Sequence, residues 1–155
     1  LDAKMVIRSS KGERVLDAED FFVGPAIDIM RMTVLQPGDL LTAIRIPAAW
    51  AGAQFYFEKV RERQVWDFPI VNVAAALRVS GGKIDSSRIV VNAVAATPRR
   101  VRSAEAAIAG KAHNEETAKM AGELAVQGAE PLAHNEYKIP LMRNLVKRAI
   151  AGAVV

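Results

Sequence analysis

The segment Phe57-Glu-Lys-Val-Arg-Glu-Arg-Gln-Val-Trp-Asp-Phe68 is the part of the chain best equipped to act on a ligand. Lys59 falls at the end of an expected strand, where its ammonium group can stand beside an electron-rich ligand edge. The same spacing also suits a surface lysine in a solvated, charged turn. Trp66 and Phe68 bracket Asp67, and as large apolar side chains they read as core anchors. The two histidines, His113 and His134, each lie in an Ala-His-Asn-Glu tetrapeptide beside an expected helix start. With no second histidine at i,i+4, they read as loop and capping neighbours rather than a metal pair. Ser9-Ser10 and Ser86-Ser87 lie in expected turns with no histidine nearby in sequence, so a hydrolytic triad is not supported. The absence of cysteine excludes thiol nucleophiles, disulfides and cysteine-ligated metals within these residues. Neither a Gly-x-Gly-x-x-Gly run nor a Walker loop occurs. No catalytic side chain and no metal ligand is therefore assigned.

Those residues need elements to hold them. Lys4 to Ser9 and Arg14 to Asp17 flank Ser10-Lys-Gly-Glu13, a β-hairpin pattern with Gly12 supplying the permissive turn. Ala18 to Phe22 fits one helical turn, which Gly24-Pro25 ends. Residues 26–34 fit no single pattern. Gln36-Pro-Gly-Asp39 is a turn, and Leu40 to Ile46 is a strand stopped by Pro47. In Gln54 to Val60, Phe55 and Phe57 alternate with Tyr56 and Glu58, a strand pattern. Ile70 to Ser80 is the most apolar stretch and reads as a buried strand, at least from Ala74 onward. The Gly81-Gly82 turn then leads through Ile84 to a partner strand over Arg88 to Ala96. Three helices follow: Ser103 to Ala109, Glu115 to Gln127 after the N-cap Asn114, and a last one with Pro140 in its first turn, reaching about Ala151. Val73, Leu77, Val91, Val94, Leu124, Leu145 and Ala149 are the expected core. Strands first and helices last make an α+β fold, an antiparallel sheet with helices packed on one face.

At 155 residues the chain is long enough for one domain, or one domain with part of another. Its 51% hydrophobic and 25% charged residues are those of a folded globular protein. The net charge of +4 and a pI near 9.6 raise the question of nucleic acid. The basic stretches at Lys59–Arg63, Arg99–Arg102 and Arg143–Arg148 contain no aromatic for base stacking, so solvated basic faces are expected instead. Apolar runs such as Val73 to Leu77 are far short of the roughly 20 residues that span a bilayer. The N-terminal residues lack the order of a signal peptide. The expectation is a cytoplasmic protein binding neither nucleic acid nor membrane.

An ordered series of motifs carries a resemblance. Gly12-Glu-Arg14 and Asp20-Phe-Phe22 are followed by Leu35-Gln-Pro-Gly-Asp-Leu-Leu-Thr-Ala-Ile-Arg-Ile-Pro47. Next come Phe57-Glu-Lys-Val-Arg-Glu-Arg63, Asp67-Phe68, Val73-Ala-Ala-Ala-Leu77, Ala95-Ala-Thr-Pro98 and Tyr137-Lys-Ile-Pro-Leu141. Together they resemble the C-terminal portion of the FAD-binding subunit of the xanthine dehydrogenase and carbon monoxide dehydrogenase family, the molybdenum hydroxylases. The spacing is most similar to the bacterial separate-subunit type, as in aldehyde oxidoreductases, xanthine dehydrogenase-like enzymes and hydroxybenzoyl-CoA reductases.

The resemblance implies that residues 1–24 are the last hairpin of a FAD-binding domain and residues 26–155 a complete flavoprotein C-terminal domain. It implies FAD in the intact subunit, held mainly by Gly-rich loops upstream of Leu1, and hence little FAD on this piece alone. It implies molybdopterin on a large partner subunit and iron–sulfur clusters on a small one, with the N-terminal FAD-binding domain of the same subunit as a third partner. The flavin would relay electrons from those clusters to an acceptor. Two positions carry over directly. Leu41 matches an apolar residue packed near the isoalloxazine, and Lys59 matches a lysine whose ammonium lies near the flavin. Arg63 and Asp67 fall in the adjoining loop as supporting candidates. The competing reading is a cofactor-free interaction domain that assembles subunits.

Overall fold

The computed structural model describes residues 1–152. The chain forms two compact units, Leu1–Ala51 and Gly52–Val155. In the first, β1 (Lys4–Ser9), β2 (Gly12–Asp17) and β3 (Leu40–Arg45) make an antiparallel sheet in the order β2-β1-β3. Gly12 adopts φ +117°, a conformation open to glycine at the hairpin turn. Met5, Ile7 and Phe21 are its buried cluster, joined by Leu16, Ala18, Val34 and Leu35. A short 3-10 turn at Ala18–Asp20 delivers Phe21 to that cluster.

In the first unit the N-terminal hairpin gains a third strand. β3 pairs with β1, Met5 opposite Ile44 and Ile7 opposite Leu41, so the hairpin extends through residue 45 as one sheet. Sequence-local patterns do not show a pairing across such a gap. The register shifts between Val6 and Ile7, leaving Thr42 as an extra residue whose hydroxyl donates to the Val6 carbonyl at 3.2 Å. The unpatterned 26–34 segment is a loop closed at its base by a Phe22–Thr33 bridge. Asp28 organises the tip, accepting from the Met30 and Arg31 N–H groups and pairing with the Arg31 guanidinium at 2.7 Å.

The second unit holds β4 (Gln54–Val60), β5 (Val71–Ser80), β6 (Lys83–Asn92) and the short β7 (Arg99–Arg100) in one antiparallel sheet of that order. Gly81 and Gly82 make the β5–β6 turn at φ +55° and +73°. This two-residue turn sets Ser80 opposite Lys83, so β6 begins well before Arg88. It ends at Asn92, and the apolar Ala93–Ala96 stretch, expected as strand, leaves the sheet at Ala93 with φ +64°. Apolar side chains there extended the sequence pattern past the true strand end.

Helices α1 (Arg102–Ile108), α2 (Glu115–Ala125) and α3 (Lys138–Ala151) pack against one sheet face. Val71, Val73, Ala75, Leu77, Ile84, Ile89 and Val91 supply the sheet side of the core. Ala104, Ile108, Ala118, Ala121, Leu145, Val146, Ala149 and Ile150 supply the helix side. Val94 and Leu124, expected inside, are half-buried at its margin. The Asn114 side chain caps α2 by accepting from Thr117 N–H at 3.0 Å. Glu105 on α1 ties the far edge, accepting from Ile89 N–H at 2.9 Å and from the Arg100 guanidinium through both carboxylate oxygens. The fold class is thus α+β, with antiparallel sheets and helices confined to one face of the larger one.

Candidate functional site

β4 is an edge strand, and its alternation separates two environments. Tyr56 and Val60 pack on the helix-side core. The Tyr56 hydroxyl donates to Glu58, which also pairs with Arg148 of α3. Burial, followed by the Glu58 carboxylate, pushes the Tyr56 phenol above its usual range. Phe55, Phe57 and Lys59 take the opposite face. Phe55 and Phe57 are 55% and 67% exposed there, whereas Lys59 is half-buried.

The register continues this face across the sheet. Phe57 lies opposite Ala74, and Ala74 opposite Val90. One step along, Lys59 lies opposite Asn72, and Asn72 opposite Asn92. The result is an open apolar surface of aromatic and small side chains, ended by one cation and two amides. Such a surface can take the face of a planar heteroaromatic ring, with the polar row meeting its electronegative edge. These residues therefore fit an isoalloxazine ring on chemical grounds.

The loop over 61–69 leaves from Lys59's end of the strand. Its mouth is closed by Ile70 N–H donating to the Val60 carbonyl at 2.7 Å. Asp67 gathers the loop inward. It accepts from Arg63 N–H at 2.9 Å, from the Arg63 guanidinium at 3.2 Å and from Phe68 N–H at 3.1 Å. These bonds, led by the Arg63 side chain and with a smaller contribution from the Lys59 charge, hold the Asp67 carboxyl below the usual carboxylate range. Arg61 donates from Nε to the Arg63 carbonyl at 2.9 Å and from its terminal nitrogen to Gln64 Oε1 at 3.1 Å.

Trp66 and Phe68 are not core anchors. Trp66 is fully exposed at φ +32° and Phe68 is 90% exposed. Asp67 takes the inward position, and alternation turns its aromatic neighbours outward. The hairpin brings Lys59, Arg63 and Asp67 into one region. Leu41 lies in the first unit, on β3, and is 38% exposed. Sequence reading missed Asn72 and Asn92, which reach the site only through sheet register. Phe55 and Phe57 carried a visible alternation, but which face the helices cover is a tertiary fact.

Elsewhere, His113 Nε2 lies 2.6 Å from the Ile150 carbonyl, a structural tie to the end of α3, and His134 is exposed. Among the described residues, no group of three or more His, Cys, Asp or Glu could hold a metal ion. No described helix is long and apolar enough to cross a membrane.

Comparison with known proteins gives this geometry a context. The CO dehydrogenase flavoprotein C-terminal domain family matches residues 55–153, more than half of the chain. The carbon monoxide dehydrogenase medium chain of Hydrogenophaga pseudoflava is 29% identical over 99% of this chain and 53% of its own length. The aldehyde oxidoreductase FAD-binding subunit of Escherichia coli is 29% identical over 99% of this chain and 45% of its own. Among solved structures, carbon monoxide dehydrogenase from Hydrogenophaga pseudoflava, lacking the Mo-pyranopterin moiety of its molybdenum cofactor, superposes with a TM-score of 0.85 at 33% identity. That match covers 98% of this chain and 52% of the other. Quinoline 2-oxidoreductase from Pseudomonas putida superposes at 0.83 with 30% identity, over 99% and 52% respectively. The chain spans about half the length of the relatives it matches.

Proposed function

The chain belongs to the CO dehydrogenase flavoprotein C-terminal domain family, and from that premise we propose that it forms the C-terminal part of the FAD-binding subunit of a molybdenum hydroxylase. In this reading the Phe55–Phe57–Lys59 face covers the isoalloxazine ring. Leu41 supplies a further apolar contact to the ring. FAD supplies the redox chemistry that links iron–sulfur clusters on a small subunit to the final acceptor, while molybdopterin on a large subunit turns over substrate. The chain's own part is to exclude water from the ring and to set the charge beside it. The hairpin 1–24 closes the preceding FAD-binding domain, and the remainder forms the C-terminal domain. The names of the relatives, medium chain and FAD-binding subunit, support this placement. So do Ile27, Ile29 and Met30, each more than 80% exposed on an ordered loop, which suit burial against another polypeptide.

One observation carries the reading: a half-buried lysine, Lys59, at the end of an exposed aromatic sheet face. A cation beside the ring favours the electron-rich reduced flavin and raises its reduction potential. In the intact subunit, Lys59→Met is therefore expected to lower the flavin potential and slow delivery to the acceptor. Turnover at the molybdenum centre with an acceptor that bypasses flavin should hold. Lys119, exposed on α2, is the control position. Arg61, within a stretch expected to be a solvated basic face, is half-buried and bonded to the loop, so it cannot serve as that control. An unchanged potential in Lys59→Met, or an equal fall in Lys119→Met, would leave Lys59 a surface residue.

A further inference from the structure

Arg63 is held from both ends of its backbone. Its N–H donates to Asp67 Oδ2 at 2.9 Å, and its carbonyl accepts from Arg61 Nε at 2.9 Å. A second Arg61 nitrogen reaches Gln64 through the side-chain oxygen at 3.1 Å and the backbone carbonyl at 3.4 Å. Loop backbone that would otherwise be free is thus bent sharply at residues 63–64. Beyond the bend, Val65, Trp66 and Phe68 stand 71%, 104% and 90% exposed. Trp66 sits in the left-handed region, which a bulky residue adopts only when its surroundings enforce it. An exposed loop braced by its own hydrogen bonds at residues 61, 63, 64 and 67 carries its apolar residues on one backbone path. A ligand then meets it without an ordering cost.

We propose that Arg61 is the positioning residue of the site: its planar guanidinium fixes the loop over 61–69, and so fixes Asp67 and Trp66 relative to Lys59. The role rests on the flavin-covering reading given above and adds a residue that acts through the loop rather than on the ring. Arg61 spans two backbone carbonyls and a side-chain oxygen because its donors form a rigid fork. A lysine there keeps the charge but cannot make the same set of bonds. Geometry and charge are thereby separable by substitution.

The test compares Arg61→Met and Arg61→Lys with Lys59→Met. In the present chain, with Trp50→Phe removing the buried second tryptophan, time-resolved anisotropy reads Trp66 alone. Both Arg61 variants are expected to enlarge the fast component relative to the parent, as the loop backbone gains motion beyond that of the exposed indole itself, and Lys59→Met is not. In the intact subunit, both Arg61 variants should weaken FAD binding about tenfold, the scale of losing one or two net hydrogen bonds that order the loop. The potential of the bound flavin should stay near that of the parent, the reverse of Lys59→Met. Unchanged anisotropy in Arg61→Met, unchanged FAD affinity, or full rescue by Arg61→Lys would each overturn the positioning role. If instead the Arg61 variants behave as expected while Lys59→Met leaves the potential unmoved, the charge role of Lys59 fails and the loop brace stands.

Discussion

Asp39 shows how much one carboxylate can organise. It takes the Arg14 guanidinium at 3.1 and 2.6 Å and caps its own turn through Gln36 N–H at 2.7 Å, with its side chain only 4% exposed. The Arg14 bond, ahead of the Gln36 N–H, lowers its carboxyl to about 2. A carboxyl lower in the folded state than in the unfolded chain adds stability above the unfolded value. That stability disappears as pH falls through the folded one. Acid melting of the parent between about pH 4 and pH 2 should therefore include a step that Asp39→Asn lacks, measured as Tm against pH. A parallel pair of Tm curves would show the ion pair to be inert. The turn itself was legible, since Gln-Pro-Gly-Asp has its own chemistry, but the Arg14 partner was not, because it lies across the sheet. The same limit explains the candidate site. Lys59 could be found from its strand end and the family resemblance, whereas Arg61 looked like one more solvated charge. Its bonds go to backbone carbonyls, and those depend on a loop path that residue types do not encode locally.

Elements were more legible than residues wherever one local signal set both ends. The Gly81-Gly82 turn and the Asn114 cap placed β5 and α2 closely. The far end of β6 and the membership of β3 were not, since both depend on pairing with distant backbone. The α2–α3 contact is another tertiary feature, and it rests on Gly122. A Cβ added there would lie 2.6 Å from the Arg143 backbone carbonyl and 3.4 Å from both Arg143 Cγ and Lys147 Cβ. Helix propensity favours alanine over glycine by about 1 kcal/mol. Overpacking against backbone costs about 1–3 kcal/mol, and a carbonyl in a helix cannot rotate away. The clash should win, so Gly122→Ala is expected to lower the unfolding free energy in a denaturant titration. Gly128→Ala is not a suitable control, because φ +74° there strains any side chain. Ala106→Gly, on the exposed side of α1, isolates the propensity effect. A gain of stability in Gly122→Ala would mean the helices can separate at little cost.

The two units differ in self-sufficiency, and that bears on what the chain can bind. The second buries a continuous sheet–helix core, whereas the first has three buried residues in its cluster and exposes Leu40 and Ile44 on β3 and Ile46 just past it. The fold class was readable from strand-then-helix order, and the family from the ordered motifs. The unit boundary at residue 51 needed the β1–β3 pairing. Glycines with positive φ among the described residues lie at Gly12, Gly38, Gly52, Gly81, Gly82, Gly110 and Gly128. Only Gly81 and Gly82 are adjacent, and they turn a hairpin. A dinucleotide pyrophosphate is held by successive backbone N–H groups in a Gly-rich loop, commonly at a helix start. The described residues offer a ring-sized apolar face and a cation suited to an isoalloxazine, but no Gly-rich run of that kind. Ring contacts alone leave out the charged part of the ligand, where the most directional bonds form. The purified 155-residue chain is accordingly expected to be folded and colourless, taking up no stoichiometric FAD when dialysed against it. Free isoalloxazine analogues without phosphate should bind as weakly as FAD does, within about a factor of ten. Far-UV dichroism checks the fold, and visible absorbance after gel filtration checks the flavin. A yellow chain with one FAD per molecule would show that these residues hold the pyrophosphate after all. Such a result would place the cofactor's main binding determinants within these 155 residues.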